Sequence, residues 1–205
     1  MHLTWLGHAS FRLEDKLTIF IDPYAGKYEG KADIILITHA HYDHFSKEII
    51  EKLRVDDTVI VGPKEVIAEI GGDVAEPGSC IEVKGIKIEV VQAYNVTKPN
   101  HPKGMGVGYI LDVGKRVYHA GDTDLIPEMN IYECDIALLP VGGTYTMDAR
   151  EAVGAVMTLH PDVAIPMHYG EIVGQKEDAI HFKEEVEKES EVVVQILDPG
   201  ESFEW

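Results

Sequence analysis

The residues with the greatest chemical potential lie in DIILITHAHYDHFSKEII, residues 33–50, where His39, His41, Asp43 and His44 fall within six positions. Imidazole nitrogen and carboxylate oxygen are the donors that a borderline divalent ion takes, so H-x-H-x-D-H reads as a metal-binding segment. A single loop histidine would carry no such meaning, but four ligand-type residues directly after an apolar run do. His39 and His41 are two apart, and a chain that stays extended past Thr38 projects both imidazoles to one side. Asp43 and His44 are expected in the first turn of the next helix, facing the same space from the other direction.

Such a loop has to be held by regular elements. DIILIT at 33–38 is continuously apolar, as in a strand covered on both faces. Ahead of it HLTWL, SFRLE and LTIFI alternate apolar and polar residues, with turn signals at Gly7 and at Asp15-Lys16, and predict an antiparallel meander. A helical pattern follows from Phe45 through Ile49, Ile50 and Leu53, and a second, KEVIAEI, follows Pro63. Strands are then expected at TVIV, CIEV and IKIEVVQA. The Gly- and Pro-rich loop YNVTKPNHPKGMG leads to an antiparallel pair, VGYILDV and KRVYHA. The second half alternates strand DIALLPV, helix DAREAVGAVMTLH, strand DVAIPMH, helix EDAIHFKEEVEKE and strand EVVVQIL. This order predicts an α/β fold of two sheets with helices on their outer faces, and its βαβ steps echo those of the first half, as in an internal duplication.

A chain of 205 residues, 45% hydrophobic and 26% charged, suits one domain over residues 1–205. Its start, MHLTWLGHASF, has no basic segment followed by an apolar one, and no run approaches the roughly 18 apolar residues of a membrane span, so a soluble cytoplasmic protein is expected. With 36 acidic against 18 basic side chains the formal charge is −18, which repels polyanions and argues against long nucleic acid as substrate. A small molecule is the expected partner, and a homo-oligomer stays open. Cys80 and Cys134 form no CxxC pattern and are expected to be buried thiols. Three Asn and three Gln in the whole chain fit a protein from a hot environment.

The histidine motif together with WLGHASF, IDPY, YHAGDTD, LPVGGTYTM and IPMHYG resembles the metallo-β-lactamase superfamily over essentially the whole chain. Within it, the segments look like the branch of metal-dependent hydrolases related to ascorbate-phosphate lactonase. The resemblance implies a four-layer αββα sandwich, two mixed sheets with helices on the outer faces, and two divalent metal ions. Zinc ranks first, with manganese, iron or nickel as alternatives. Carried over by residue, it makes His39 and His41 ligands of the first metal, Asp43 and His44 ligands of the second, Asp122 of GDTD the bridging carboxylate, and His168 of PMHYG the completing ligand of the second. Related sequences often carry His where this chain has Asn95. His101, six residues later on the same loop, is the expected replacement, with a weak first site as the alternative.

Asp22 of IDPY resembles the family's buried carboxylate and is expected to orient a metal-binding histidine. His8 of GHASF is expected near the site, either behind a ligand or against substrate. Tyr169 and Thr144 could contact substrate or merely pack and cap. His119 reads as structural, and His2, His160 and His181 lack motif context, the last two falling on helices. GMGVGY at 104–109 precedes a strand, not a helix, and so fails the phosphate-loop context.

The function these residues imply is dinuclear metal-dependent hydrolysis of a small ester-like substrate, a lactone or phosphodiester, by a metal-bridging hydroxide. Asp122 would bridge the ions and Asp43 would shuttle the proton to the leaving group. A metal-bound sensing or interaction module is the alternative from a different class, motivated by Asn95. β-Lactam hydrolysis ranks lower. A redox di-iron role ranks lower still, since it would favour a glutamate at His41 and an attached flavin domain.

Overall fold

The computed structural model describes residues 1–205 and separates into two compact units, Met1–Glu76 with Leu197–Trp205, and Pro77–Ile196. The first unit contains β1 (His2–Gly7), β2 (Ser10–Glu14), β3 (Thr18–Ile21), β4 (Ile34–Leu36), β5 (Val59–Gly62), β6 (Asp73–Val74) and a strand from the end of the chain, β14 (Ser202–Glu204). They form one seven-stranded mixed sheet in the order β14-β1-β2-β3-β4-β5-β6. The alternating segments bury Leu3, Trp5, Phe11, Leu13, Ile19 and Ile21. Helix α1 (Lys47–Leu53) starts from the Ser46 cap, whose side chain accepts the Ile49 N–H, and α2 (Lys64–Ile70) follows Pro63. Ile50 and Leu53 of α1 and Val66 of α2 join Leu6, Phe20, Ile35, Ile37 and Ile60 in one buried cluster. Each such aliphatic side chain withdrawn from water contributes about 1.5–3 kcal/mol.

The second unit contains β7 (Cys80–Val83), β8 (Ile86–Ala93), β9 (Gly106–Asp112), β10 (Arg116–His119), β11 (Ile136–Pro140), β12 (Val163–Met167) and β13 (Val193–Val194). Its sheet runs β13-β12-β11-β10-β9-β8-β7. Helix α3 (Ala149–Leu159) opens on a capping box between Asp148 and Glu151 and closes at His160, which takes a left-handed conformation at φ 49. Its apolar face buries Ala152, Val156 and Leu159, and α4 (Lys176–Glu189) buries Ala179, Phe182 and Val186. No helix is long and apolar enough to cross a membrane.

The two sheets repeat one succession of pairings. In the first, β14-β1, β1-β2 and β2-β3 are antiparallel and β3-β4, β4-β5 and β5-β6 parallel. In the second, β7-β8, β8-β9 and β9-β10 are antiparallel and β10-β11, β11-β12 and β12-β13 parallel. Strands β1 and β3 both oppose β2, so β1, β3 and β4 run together and end at one edge of their sheet. The same reasoning sends β8, β10, β11 and β12 to one edge of theirs. In open α/β sheets the loops past the carboxyl ends of such strands are where sites are built.

Four expectations need correction. Asp43 and His44 precede the helix: a turn in which His44 N–H and Phe45 N–H both donate to the His41 carbonyl holds them, and Ser46 takes the cap. EVVVQIL contributes only Val193–Val194 to the ladder, at the sheet's edge. His160 ends its helix and does not lie within it. Cys80 is exposed on the edge strand β7, and Cys134 is half-buried. Burial pushes the Cys134 thiol up to about 12.

Candidate metal centre

In the first unit three strand ends deliver the site residues. His8 follows β1, Asp22 follows β3, and Thr38 to His44 follow β4. His8 and Asp22 hold positive φ, at 49 and 45, a region that side-chain-bearing residues enter at a cost of about 1–3 kcal/mol and that clusters at functional sites. Asp22 is wholly buried and accepts from Thr38 N–H at 2.7 Å and from the Thr38 hydroxyl at 2.6 Å, and lies 2.7 Å from His44 Nδ1.

These contacts fix the imidazoles. A carboxylate only accepts, so His44 carries its proton on Nδ1 and turns the basic Nε2 the other way. The Thr38 hydroxyl spends its one proton on Asp22, so its lone pair receives His39 Nδ1–H at 3.0 Å. One buried carboxylate thereby sets the tautomer of two histidines, directly and through Thr38, an arrangement typical behind metal ligands. His39 Nε2 faces His41 Nδ1 at 3.1 Å. His8 Nε2 lies 3.1 Å from Asp43 Oδ2, His44 Nε2 lies 4.0 Å from the same oxygen, and His8, Asp43 and His44 each offer a ligand atom within 4.8 Å of one another. Tyr42, in the same loop, is 68% exposed and meets Tyr24 edge-on at 6.0 Å.

In the second unit, Asp122 follows β10 and His168 follows β12. Asp122 Oδ2 lies 3.2 Å from His101 Nε2 and 3.1 Å from His168 Nε2, all three side chains being buried. His168 sits at φ 61, and its carbonyl crowds Gly142: a β-carbon there would lie 2.2 Å from the His168 oxygen. That close approach explains the glycine of LPVGGTYTM.

Asn95 itself points into its own loop. Its amide donates to Asp124 Oδ1 at 3.0 Å and to the Tyr145 carbonyl at 2.9 Å, and its oxygen accepts the His101 N–H at 2.9 Å. Asp124 also accepts Val96 N–H at 2.8 Å and Lys98 Nζ at 2.9 Å. Burial pulls the Lys98 ammonium down, but hydrogen bonds and charge from Asp124 and Glu151 outweigh it and hold the group above its usual range. Tyr169 is 3% exposed, while Thr144 is exposed beside Gly142 and Gly143. His119 is buried and accepts the Gly121 N–H at 3.2 Å, and His2 pairs with Glu204 on the surface. Thr38 and Asp124 escaped the sequence reading. The adjacency of Thr38 to His39 and the second aspartate of GDTD were the signals available.

Each unit therefore groups imidazole nitrogens with a carboxylate oxygen at strand ends, a donor chemistry that fits a divalent ion of the zinc type. The fold and these donors together define a metal-binding α/β protein. The Beta-lactamase superfamily domain matches residues 2–168. A UPF0173 metal-dependent hydrolase of Methanopyrus kandleri is 38% identical over the full length of both chains. Another, from Methanoculleus marisnigri, is 36% identical over all of this chain and 96% of its own. Among solved structures, Igni18, a metallo hydrolase from the hyperthermophilic archaeon Ignicoccus hospitalis, aligns at a TM-score of 0.84 and 32% identity, covering 100% of this chain and 98% of its own. The chain belongs to the metallo-β-lactamase superfamily and, within it, to the UPF0173 metal-dependent hydrolases.

Proposed function

We propose that the chain is a dinuclear metal-dependent hydrolase acting on a small ester-like molecule, a lactone or a phosphodiester. The ligands in this reading are His39, His41, Asp43 and His44 from the first unit and His101, Asp122 and His168 from the second. The observation that carries it is the hold of Asp22 and Thr38 on Nδ1 of His44 and His39, which aims both Nε2 atoms at the other ligand-type residues, His41 and Asp43.

Divalent ions bound there would supply Lewis acidity, lowering the pKa of a bound water toward neutrality and polarising the attacked oxygen. The chain's own residues supply the rest. Asp122 places negative charge between two imidazoles. Asp43, held by His8, is the carboxylate suited to pass a proton to the leaving oxygen. The formal charge of −18 favours a small substrate over a polyanion.

The test is a screen of metal-loaded protein against lactones, phosphodiesters, phosphomonoesters and β-lactams. Turnover of a lactone or phosphodiester, lost on chelation and restored by zinc or manganese, is the expected result. Activity confined to β-lactams would overturn the substrate class, and activity that survives complete metal removal would overturn the mechanism.

A further inference from the structure

The loop between β8 and β9 is tied down more heavily than its composition requires. Asn95 and His101 close it from both ends: Asn95 N–H donates to the His101 carbonyl at 2.8 Å, and the Asn95 side-chain oxygen accepts the His101 N–H at 2.9 Å. That oxygen also lies 3.0 Å from His101 Nδ1. Beneath the loop, Asp124 is 2% exposed and gathers Asn95 Nδ2, Val96 N–H, Thr97 N–H and Lys98 Nζ, and Lys98 reaches on to Glu151 at the start of α3. The backbone is clasped as well, since Asp124 N–H donates to the Tyr94 carbonyl at 3.0 Å.

This network has a direction. An amide can be turned end for end in principle, but two acceptors, Asp124 Oδ1 and the Tyr145 carbonyl, fix the nitrogen end of Asn95, so its oxygen must face His101. His101 Nδ1 then meets two acceptors, Asn95 Oδ1 at 3.0 Å and the Tyr145 carbonyl at 3.3 Å. A nitrogen so placed has to carry the proton. The other nitrogen, Nε2, is thereby aimed at Asp122 Oδ2, 3.2 Å away, and is the atom left for a metal to take. Asp22 and Thr38 impose the same state on His39 and His44 by different chemistry.

We infer that Asn95, steered by Asp124, is a positioning residue that holds the His101 ring by its Nδ1–H so that Nε2 is presented as a metal ligand. Asn95 thus serves the metal through His101 and is not a ligand itself. Lys98 adds to this by neutralising Asp124, which lets that carboxylate stay buried under the loop. The inference rests on the dinuclear reading for the identity of what Nε2 binds.

The experiment uses the full chain labelled with 15N-histidine. Long-range 1H–15N spectra report the tautomer of His101, and zinc titration monitored by competition with a chromophoric chelator reports affinity and stoichiometry. In the zinc-loaded wild type His101 is expected to bind through Nε2 and to keep its proton on Nδ1. Asn95→Ala should broaden the His101 ring signals and weaken one zinc by about 10–100-fold while saturating at the wild-type number, the range found for residues behind metal ligands. Asp124→Asn should move the same two readouts in the same direction. A zinc-loaded wild type in which His101 binds through Nδ1, or does not bind, would overturn the inference without any variant, so misfolding of a mutant cannot shield it. Unchanged zinc affinity in a folded Asn95→Ala would also overturn it. Failure of the wild type to bind zinc would instead defeat the dinuclear reading, whereas zinc bound without His101 Nε2 would overturn the role of Asn95 alone.

Discussion

Replacing Asp22 by asparagine separates folding from metal binding in a way the geometry makes quantitative. The amide keeps the shape of the carboxylate, so its oxygen can still accept the Thr38 N–H now held at 2.7 Å. Its NH2 group then occupies the place of Oδ2, which lies 2.7 Å from His44 Nδ1 and 2.6 Å from the Thr38 hydroxyl. Two donors would confront each other at His44, and the relief is a shift of its proton to Nε2, the atom needed for metal. Bonds to a charged partner contribute about 1.5–3 kcal/mol and neutral ones about 0.5–1.5, so weakening three of them costs about 2–4 kcal/mol of stability. For a chain of this size that lowers the melting temperature by about 4–16 °C. The larger signal is in zinc: a loss of about 10–100-fold at one site, equal to about 1.4–2.8 kcal/mol. Thermal unfolding of the metal-free protein and a competitive zinc titration measure the two quantities independently. An Asp22→Asn protein that melts lower but binds both ions with wild-type affinity would refute the argument that the carboxylate acts through the His44 tautomer.

Two further outcomes follow from particular contacts. Asp122→Ala should abolish zinc binding at the imidazoles of His101 and His168 and with it any hydrolysis, whereas Asp124→Ala should weaken one ion and loosen residues 95–101; metal analysis beside hydrogen exchange of that loop distinguishes them, and equal loss of metal in both would show that the bridging role was given to the wrong aspartate. Iodoacetamide at pH 8 should modify Cys80 quickly and Cys134 slowly, because burial holds the Cys134 thiol near 12 and little thiolate is present. Peptide mapping against time reads this, and comparable rates would contradict the burial argument.

Much of the framework was legible because each long strand carries its own apolar signal. β2 spans Ser10–Glu14, the segment whose alternation marks it, and α2 spans Lys64–Ile70 directly after its proline. Strands β6 and β14 left no such trace, being two and three residues long at the sheet edges, where neither alternation nor burial is required. The start of α1 was placed too early for a chemical reason: Asp43 and His44 are held in a turn on the His41 carbonyl, with the Asp43 carboxylate toward His8, and the cap falls to Ser46. Candidate ligands were legible as types at strand ends. What they rest on was not, since Asp22 reaches Thr38 and His44 only because β3 and β4 lie side by side. Residue type does not tell the two aspartates of GDTD apart, and only the resemblance singled out Asp122 as a ligand. Their roles part only in three dimensions, where one faces imidazoles and the other is packed under backbone N–H groups.

The central claim is tested most directly by counting ions. Protein stripped with a chelator, dialysed and titrated with zinc should be followed by native mass spectrometry or elemental analysis. The account predicts saturation at about two ions per chain, falling to about one in His101→Ala, because the donors comprise imidazoles and carboxylates enough for two tetrahedral-type sites. Saturation at a single ion, or none, in the wild-type chain would contradict the dinuclear centre on which the proposed hydrolysis depends.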